Sequence, residues 1–422
     1  MHRPDVSAGS PRIDGQPVDR ATPTTGAAPA GAPAAGRPNR VEWVDAAKAI
    51  SIIGVCVLHS IIAVPGGGDS TWKAVYQVLD PIRMPLFFMV SGLFAHRVIT
   101  RSLSDLFFRR IWFLLVPYLA FKTITAVVRE ISDPGYQTMR QFLRSVVVGD
   151  PGLWFLYVLM VFNLVAWGMR KVPPALVVAL SFLPGLAYGV FGLNEFEKYN
   201  EISHIVLYLP AFMIGLHARR LWLRLGEVAD LDRVRSPFTA YVVAALAVGA
   251  YLAWWVLDAT TTGLLGYIIG RLSGVILAVP VAIVAAVHLT KMPVVSRILS
   301  AIGRNTLPIY VSHPLVIWMV GAPLGDAVVA HGSGSFTEVD VRILLNLLLC
   351  TMAGFVMYLI GKIPVVNWVL YPPALPRGRA DGKSVGRRQA STRAPRGTGL
   401  RAPSRLRAAD DRTRRQAAEP RN

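Results

Sequence analysis

The chain has 422 residues, 53% hydrophobic and 16% charged, and its 44 Lys and Arg against 25 Asp and Glu give a formal net charge of +19. Soluble globular domains carry about a quarter charged residues, so the composition excludes an ordinary water-soluble enzyme. The charge does not indicate nucleic acid either, because fourteen Lys or Arg against four acids fall between Arg377 and Arg421, a stretch without aromatic interleaving or a recognisable module.

Residues 1–40 are rich in Pro, Ala, Gly and Thr and lack an apolar period, so they are expected to form a disordered tail. No basic segment leads into an apolar one there, and a cleaved signal peptide is not expected. From 41 to 373 apolar runs alternate with short polar loops, which predicts an all-α polytopic membrane domain. About ten transmembrane helices are predicted, near 44–64, 78–96, 111–130, 153–169, 174–191, 202–218, 238–257, 264–287, 304–321 and 342–362. Pro81, Pro85, Pro308 and Pro314 interrupt two of them, which a bundle tolerates when neighbours satisfy the freed carbonyls. Residues 374–422 are expected to be a basic disordered tail, suited to an anionic leaflet or serving only to fix topology. Cys56 and Cys350 both lie in apolar runs and offer neither a disulfide framework nor metal-ligand spacing, so no metal is expected.

Loop charge sets the orientation. With both ends inside, the inner loops hold fourteen Lys or Arg and the outer loops six. The positive-inside rule then gives a multi-pass protein of the plasma (inner) membrane with both termini cytoplasmic. The outer segment Asn194–Glu197 is correspondingly acidic. No internal repeat with broken helices is evident, which argues against a transporter.

Ionisable groups inside a bilayer are costly and mark function or pairing. In the first span Asp45, Lys48 and His59 are separated by three and eleven residues. Eleven helical steps return to within ~20° of the same face, so Lys48 and His59 share a stripe about 16 Å long, with Asp45 about 40° to one side. A cation near the cytoplasmic end would meet an anionic ligand, and a neutral imidazole farther up suits a general base for a hydroxyl. Asp80 and Arg83, three apart, either neutralise each other at a helix end or face a chamber. Arg109 and Arg110 suit phosphate but equally suit a positive-inside anchor. Trp154 and Tyr157 fit an acceptor groove or an interfacial belt, and His313 a packing role or the site. Lys122 and Arg271 are expected to be paired structural charges, and His204 and His288 to be interfacial.

Together these segments resemble the integral-membrane acyltransferase family 3. The acidic residue, cation and histidine of its first span correspond to Asp45, Lys48 and His59; Met84–Gly92 looks like its second-span signature. Arg109-Arg110 with Pro117-Tyr118, Leu153–Leu156 and Leu307–Pro314 look like three further segments, so the likeness runs from about Val41 to about Pro373. The resemblance implies transfer of an acyl group, commonly acetyl, from cytoplasmic acyl-CoA to a hydroxyl of an envelope glycan or glycolipid. It implies a catalytic His59 and donor contacts from Lys48, Arg109 and Arg110, beside which Asp45, Arg83, Trp154 and His313 are the candidate substrate-binding residues. Acyl-CoA is then a co-substrate and no cofactor is bound permanently. The implied partners are the lipid bilayer, the glycan acceptor and envelope-biosynthesis proteins, but not nucleic acid. Three departures stand out. Lys48 replaces a usual arginine, Phe113 stands where a second cation is usual, and Arg83 replaces a common histidine. An arginine there that faces the chamber suits an anionic acceptor or a dicarboxylic acyl group. The competing readings are a glycan or lipid transporter and a non-catalytic envelope scaffold.

Overall fold

The apolar runs form helices because a bilayer leaves backbone groups no water to bond, and a helix satisfies them within one segment. The computed structural model describes residues 41–135, 137–149, 152–191, 201–330 and 338–375, and among these no strand occurs. The two expected tails and the acidic Asn194–Glu197 segment lie outside the described residues. In chain order the helices are α1 (Glu42–Ile62), α2 (Trp72–Leu93), the short α3 (Leu103–Leu106), α4 (Trp112–Ser132), α5 (Met139–Val148) and α6 (Trp154–Gly168). They continue with α7 (Pro174–Val190), α8 (Glu201–His217), α9 (Arg219–Val228), α10 (Pro237–Thr260) and α11 (Gly263–Leu277). The last are α12 (Val279–Leu289), α13 (Pro293–Arg304), α14 (Thr306–Val316), α15 (Ala322–Ala330) and α16 (Glu338–Ile360).

Helix lies over each of the ten segments expected from hydropathy. Five helical stretches are long and apolar enough to cross a bilayer: Glu42–Ile62, Leu103–Ser132, Pro237–Thr260, Thr306–Val328 and Glu338–Ile360. The number rises to seven if the bent pairs Ile202–His217 with Arg219–Val228 (77°) and Gly263–Leu277 with Val279–Leu289 (40°) each form one span. Trp154–Gly168 and Pro174–Val190 are shorter apolar helices, and α2 carries Lys73, Asp80 and Arg83 along its 22 residues.

Burial ranks the helices. In α1, 67% of the apolar window is buried, against 17% in α10, so α1 is the axis of the bundle and α10 lies at its periphery. Small residues make the close crossings. A Cβ on Gly303 would run into the carbonyl of Asp45, and one on Gly92 into that of Phe212, so α13 lies directly on α1 and α8 on α2. Contacts at the two ends of α1 fix which helix ends lie together. Beside its start, Gly226 abuts the Trp43 ring, and Trp167 donates to the carbonyl of Arg101 at 2.9 Å. Beyond its finish, Thr71 donates to Asp340 at 3.1 Å, joining the starts of α2 and α16.

The structure corrects the position of one charged pair. α2 begins at Trp72, not near 78, so Asp80 and Arg83 lie more than two turns inside the helix and not at its end. The helix runs on through Pro81, and in the turn before it Tyr251 donates to the Val78 carbonyl at 3.0 Å.

Candidate active site

The first-span triplet is drawn apart by its surroundings. Asp45 is 5% exposed and pairs with Lys48 at 3.8 Å, with its backbone pressed against Gly303. It is not among the residues that line the cavity described below, and its ionic partner is Lys48. The Lys48 ammonium stands 5.4 Å from the centroid of the Phe94 ring. Arg110 reaches the same place, donating to the Phe94 carbonyl at 3.4 Å, the Ser91 carbonyl at 3.3 Å and Asn163 Oδ1 at 3.0 Å.

The two paired arginines therefore separate. Arg109 is exposed and 3.9 Å from Asp105, whereas Arg110 turns into the bundle. A π-helical turn at Phe107–Ile111 precedes α4, and such turns insert a residue and redirect the side chains around it. Lys48 and Arg110 form one cationic locus at the end of the bundle where α1 begins, and Arg109 stands outside it. Phe113, at the position of the missing cation, is 36% exposed.

Eleven residues along α1 from Lys48, His59 meets His313 of α14 with ring centroids 5.0 Å apart. His313 is 1% exposed, and its Nδ1 is 3.1 Å from the carbonyl of Ile309. A carbonyl only accepts, so Nδ1 carries the hydrogen and Nε2 presents a lone pair, buried without a partner among the described residues. His313 thus stands beside His59 in one histidine locus. Both rings line a cavity of about 530 Å³, within the range of small-molecule sites.

The cavity's other walls come from the ends of α2, α6, α8 and α11. Trp154 stacks on His204 with centroids 3.9 Å apart and planes 10° from parallel, and Tyr208 continues the stack at 5.8 Å from Trp154. His204 is therefore a cavity residue, a role not assigned to it from the sequence. The signal was present in the sequence, since His204 and Tyr208 are four apart and share a helix face. His288, by contrast, bonds the Val284 carbonyl at 2.9 Å and lies outside this cavity.

Arg83 reaches the cavity across Gly54, where an added Cβ would stand 3.1 Å from Arg83 Cβ. Its Nη2 donates to Asp80 Oδ1 at 2.7 Å, while Arg271 of α11 holds Asp80 Oδ2. Arg271 is both paired, as expected, and a cavity residue. Lys122, also expected to be paired, is 3% exposed in a separate pocket with Arg129.

The comparisons give this geometry its setting. The acyltransferase-3 family model, described as an acyltransferase domain, matches residues 41–367. The chain is also similar to the Inner membrane protein YcfT of Escherichia coli (strain K12), 22% identical over 377 residues that span 79% of this chain and 96% of the relative. No solved structure matches. A family match over most of the helical region, together with several bilayer-length apolar helices, supports a membrane location and an acyl-transferring protein; the chain belongs to the acyltransferase-3 family.

Proposed function

We propose that this protein is a membrane O-acyltransferase that moves an acyl group from cytoplasmic acyl-CoA to a hydroxyl of an envelope glycan or glycolipid. The observation that carries the reading is the His59–His313 pair on a cavity wall, on the same helix as a cationic locus eleven residues away. In the proposed topology ten spans cross the membrane and both termini are cytoplasmic, which puts Lys48 and Arg110 at the inner face and the cavity mouth at the outer face. Lys48 and Arg110 then supply positive charge to the phosphates of the donor, and Arg109 contributes at longer range. The flexible arm of the donor follows α1 towards His59.

His59 removes the proton from the acceptor hydroxyl as its oxygen attacks the thioester carbonyl. The tetrahedral adduct collapses, the carbon–sulfur bond breaks, and the leaving thiolate takes the proton back from His59. General-base assistance contributes about 10²–10⁴ in rate, and holding both substrates in register contributes further. Trp154 and Tyr208 offer flat apolar surfaces to a ring, and His313, with its tautomer fixed by Ile309, orients His59 or the hydroxyl. Envelope-biosynthesis proteins would supply the acceptor or receive the product.

The test is thiol release from acetyl-CoA by purified protein with an envelope extract, comparing wild type with His59→Ala. The expected result is at least a hundredfold loss (~10²) in the variant with unchanged thermal stability and donor binding. Equal rates in the two proteins would refute the role of His59, and substrate movement across vesicles without thiol release would establish a transporter instead.

A further inference from the structure

The cavity contains more positive charge than its fold requires. Its lining includes Lys73, Arg83 and Arg271 and, among the described residues, no carboxylate. Asp80 stands behind the wall and is shared, one oxygen to Arg83 and the other to Arg271. Two guanidinium groups on one carboxylate leave about one unit of positive charge in a site removed from water, and buried charge of this kind calls for a partner. Arg83 is 8% exposed, and its Nη1 is buried without a hydrogen-bond partner among the described residues. Asp80 and the Tyr76 ring, 5.4 Å from the guanidinium carbon, hold the Arg83 group in place beside that unmet donor.

We propose that this site takes an acidic acceptor: a hydroxylated sugar ring bearing a carboxylate, with the carboxylate held by Arg83 and Arg271 and the ring beside Trp154 and Tyr208. The proposal rests on the acyltransferase reading and narrows its acceptor class. Placement within the bundle favours the acceptor over the donor as the source of the anion. Arg83 and Arg271 share the cavity with Lys73, Ser203, His204 and Tyr267, near the starts of α2, α8 and α11. The Lys48–Arg110 locus lies at Phe94, just past the finish of α2, eleven residues beyond Arg83. A two-arginine clamp also suits a planar carboxylate better than a single cation would, because each guanidinium presents paired donors.

The experiment measures binding of methyl glucuronide and methyl glucoside, at matched ionic strength, to the full-length protein in lipid nanodiscs. Wild type is expected to prefer the glucuronide at least about tenfold. Arg83→Gln, which leaves Asp80 and Arg271 as a one-to-one pair, is expected to remove that preference while keeping the glucoside affinity. Asp80→Asn moves the charge the other way. It is expected to bind the glucuronide more tightly than wild type and to be stabilised by it against heat. Equal binding of the two sugars by wild type, or a preference that survives Arg83→Gln, would overturn the proposal. A thiol-release assay with succinyl-CoA and acetyl-CoA separates the other source of the anion, since an Arg83-dependent preference for the succinyl donor would also overturn it. Binding preference without thiol release from any donor would leave the acidic-sugar site standing and reject the acyltransferase reading on which it was built.

Discussion

The crossing of α2 and α8 permits a direct test, because it brings together backbone from two walls of the cavity. A Cβ on Gly92 would run into the Phe212 carbonyl and stand 3.0 Å from the amide nitrogen of Leu216, and a Cβ on Gly215 would run into the carbonyl of Met89. Non-bonded carbon contacts relax at about 3.5–4.0 Å, so either alanine forces the helices apart by on the order of 1 Å. The obstructing atoms are backbone, and no side-chain rotation relieves them. Overpacking of this kind costs about 1–3 kcal/mol. Gly92→Ala and Gly215→Ala are therefore each expected to lower the unfolding temperature by several degrees in nanodiscs. The double variant should lose less than the sum, because the first separation makes room for the second methyl. Gly249→Ala is the control: nothing lies within 4 Å of the added Cβ, and alanine favours helix by up to ~1 kcal/mol. Since α2 carries Arg83 and α8 carries His204 and Tyr208, a shift of ~1 Å should also reduce turnover, by as much as 10². Unfolding of either single variant within about 1 °C of wild type would refute the crossing as described.

Two further outcomes are expected. Lys48→Met should raise the KM for acyl-CoA about tenfold, a loss of ~1.4 kcal/mol, with little change in kcat, whereas Lys48→Arg should lower KM by adding paired donors; an unchanged KM in both variants would remove Lys48 from the donor site. At the α12–α13 turn, Lys291 Nζ lies 2.5 Å from Asp230 and 2.6 Å from Asp232. Burial pushes the Asp230 carboxyl up, but the hydrogen bond from Lys291, that from the Asp232 amide and the charges of Lys291 and Arg233 outweigh it, so its pKa lies below the usual value. For Lys291, burial lowers the pKa and the bonds to Asp230 and Asp232 raise it further, leaving it above the usual value. The depressed carboxyl adds stability above its unfolded pKa of about 3.9, lost as pH falls through the folded value, and the raised ammonium adds stability that is lost as pH rises through its own folded value, above about 10.4. Lys291→Met should thus unfold slightly earlier at pH 7, by ~0–1 kcal/mol for a partly exposed pair, and match wild type at a pH low enough to protonate Asp230 in the folded protein. A deficit of equal size at both pH values would show that packing, not charge, is what Lys291 contributes.

The sequence made the helices legible because each apolar run is itself a local signal, and the eleven-residue spacing of Lys48 and His59 is a property of one helix. What it could not show comes from contacts between helices. Asp80 and Arg83 look self-sufficient at three apart, and only the fold brings Arg271, 188 residues beyond Arg83, onto the same carboxylate. Arg109 and Arg110 read as a pair, and the turn at Phe107–Ile111 sends one outward and the other onto Ser91, Phe94 and Asn163. His204 looked interfacial because it opens a span, but the α6 start lies beside it and presents Trp154 to its face.

The arrangement divides two tasks between different parts of the bundle. Lys48 and His59 are on one continuous helix, so a rise of 1.5 Å per residue fixes about 16 Å between the cationic locus and the histidine pair. Any group spanning that distance meets the same geometry, which suits a donor of constant structure. The cavity beyond His59 is built differently, from side chains contributed by α2, α8 and α11 that touch only through tertiary packing. Exchange of Arg83 or Arg271 would alter the charge of that chamber, and at Gly54 the backbone of α1 meets only the stem of Arg83, beside Leu79, and not its charged end. In the proposed reaction the acceptor class can therefore change while the donor path and base stay fixed. Arg83, at a position where the family resemblance leads to the expectation of a histidine, would be a change of that kind.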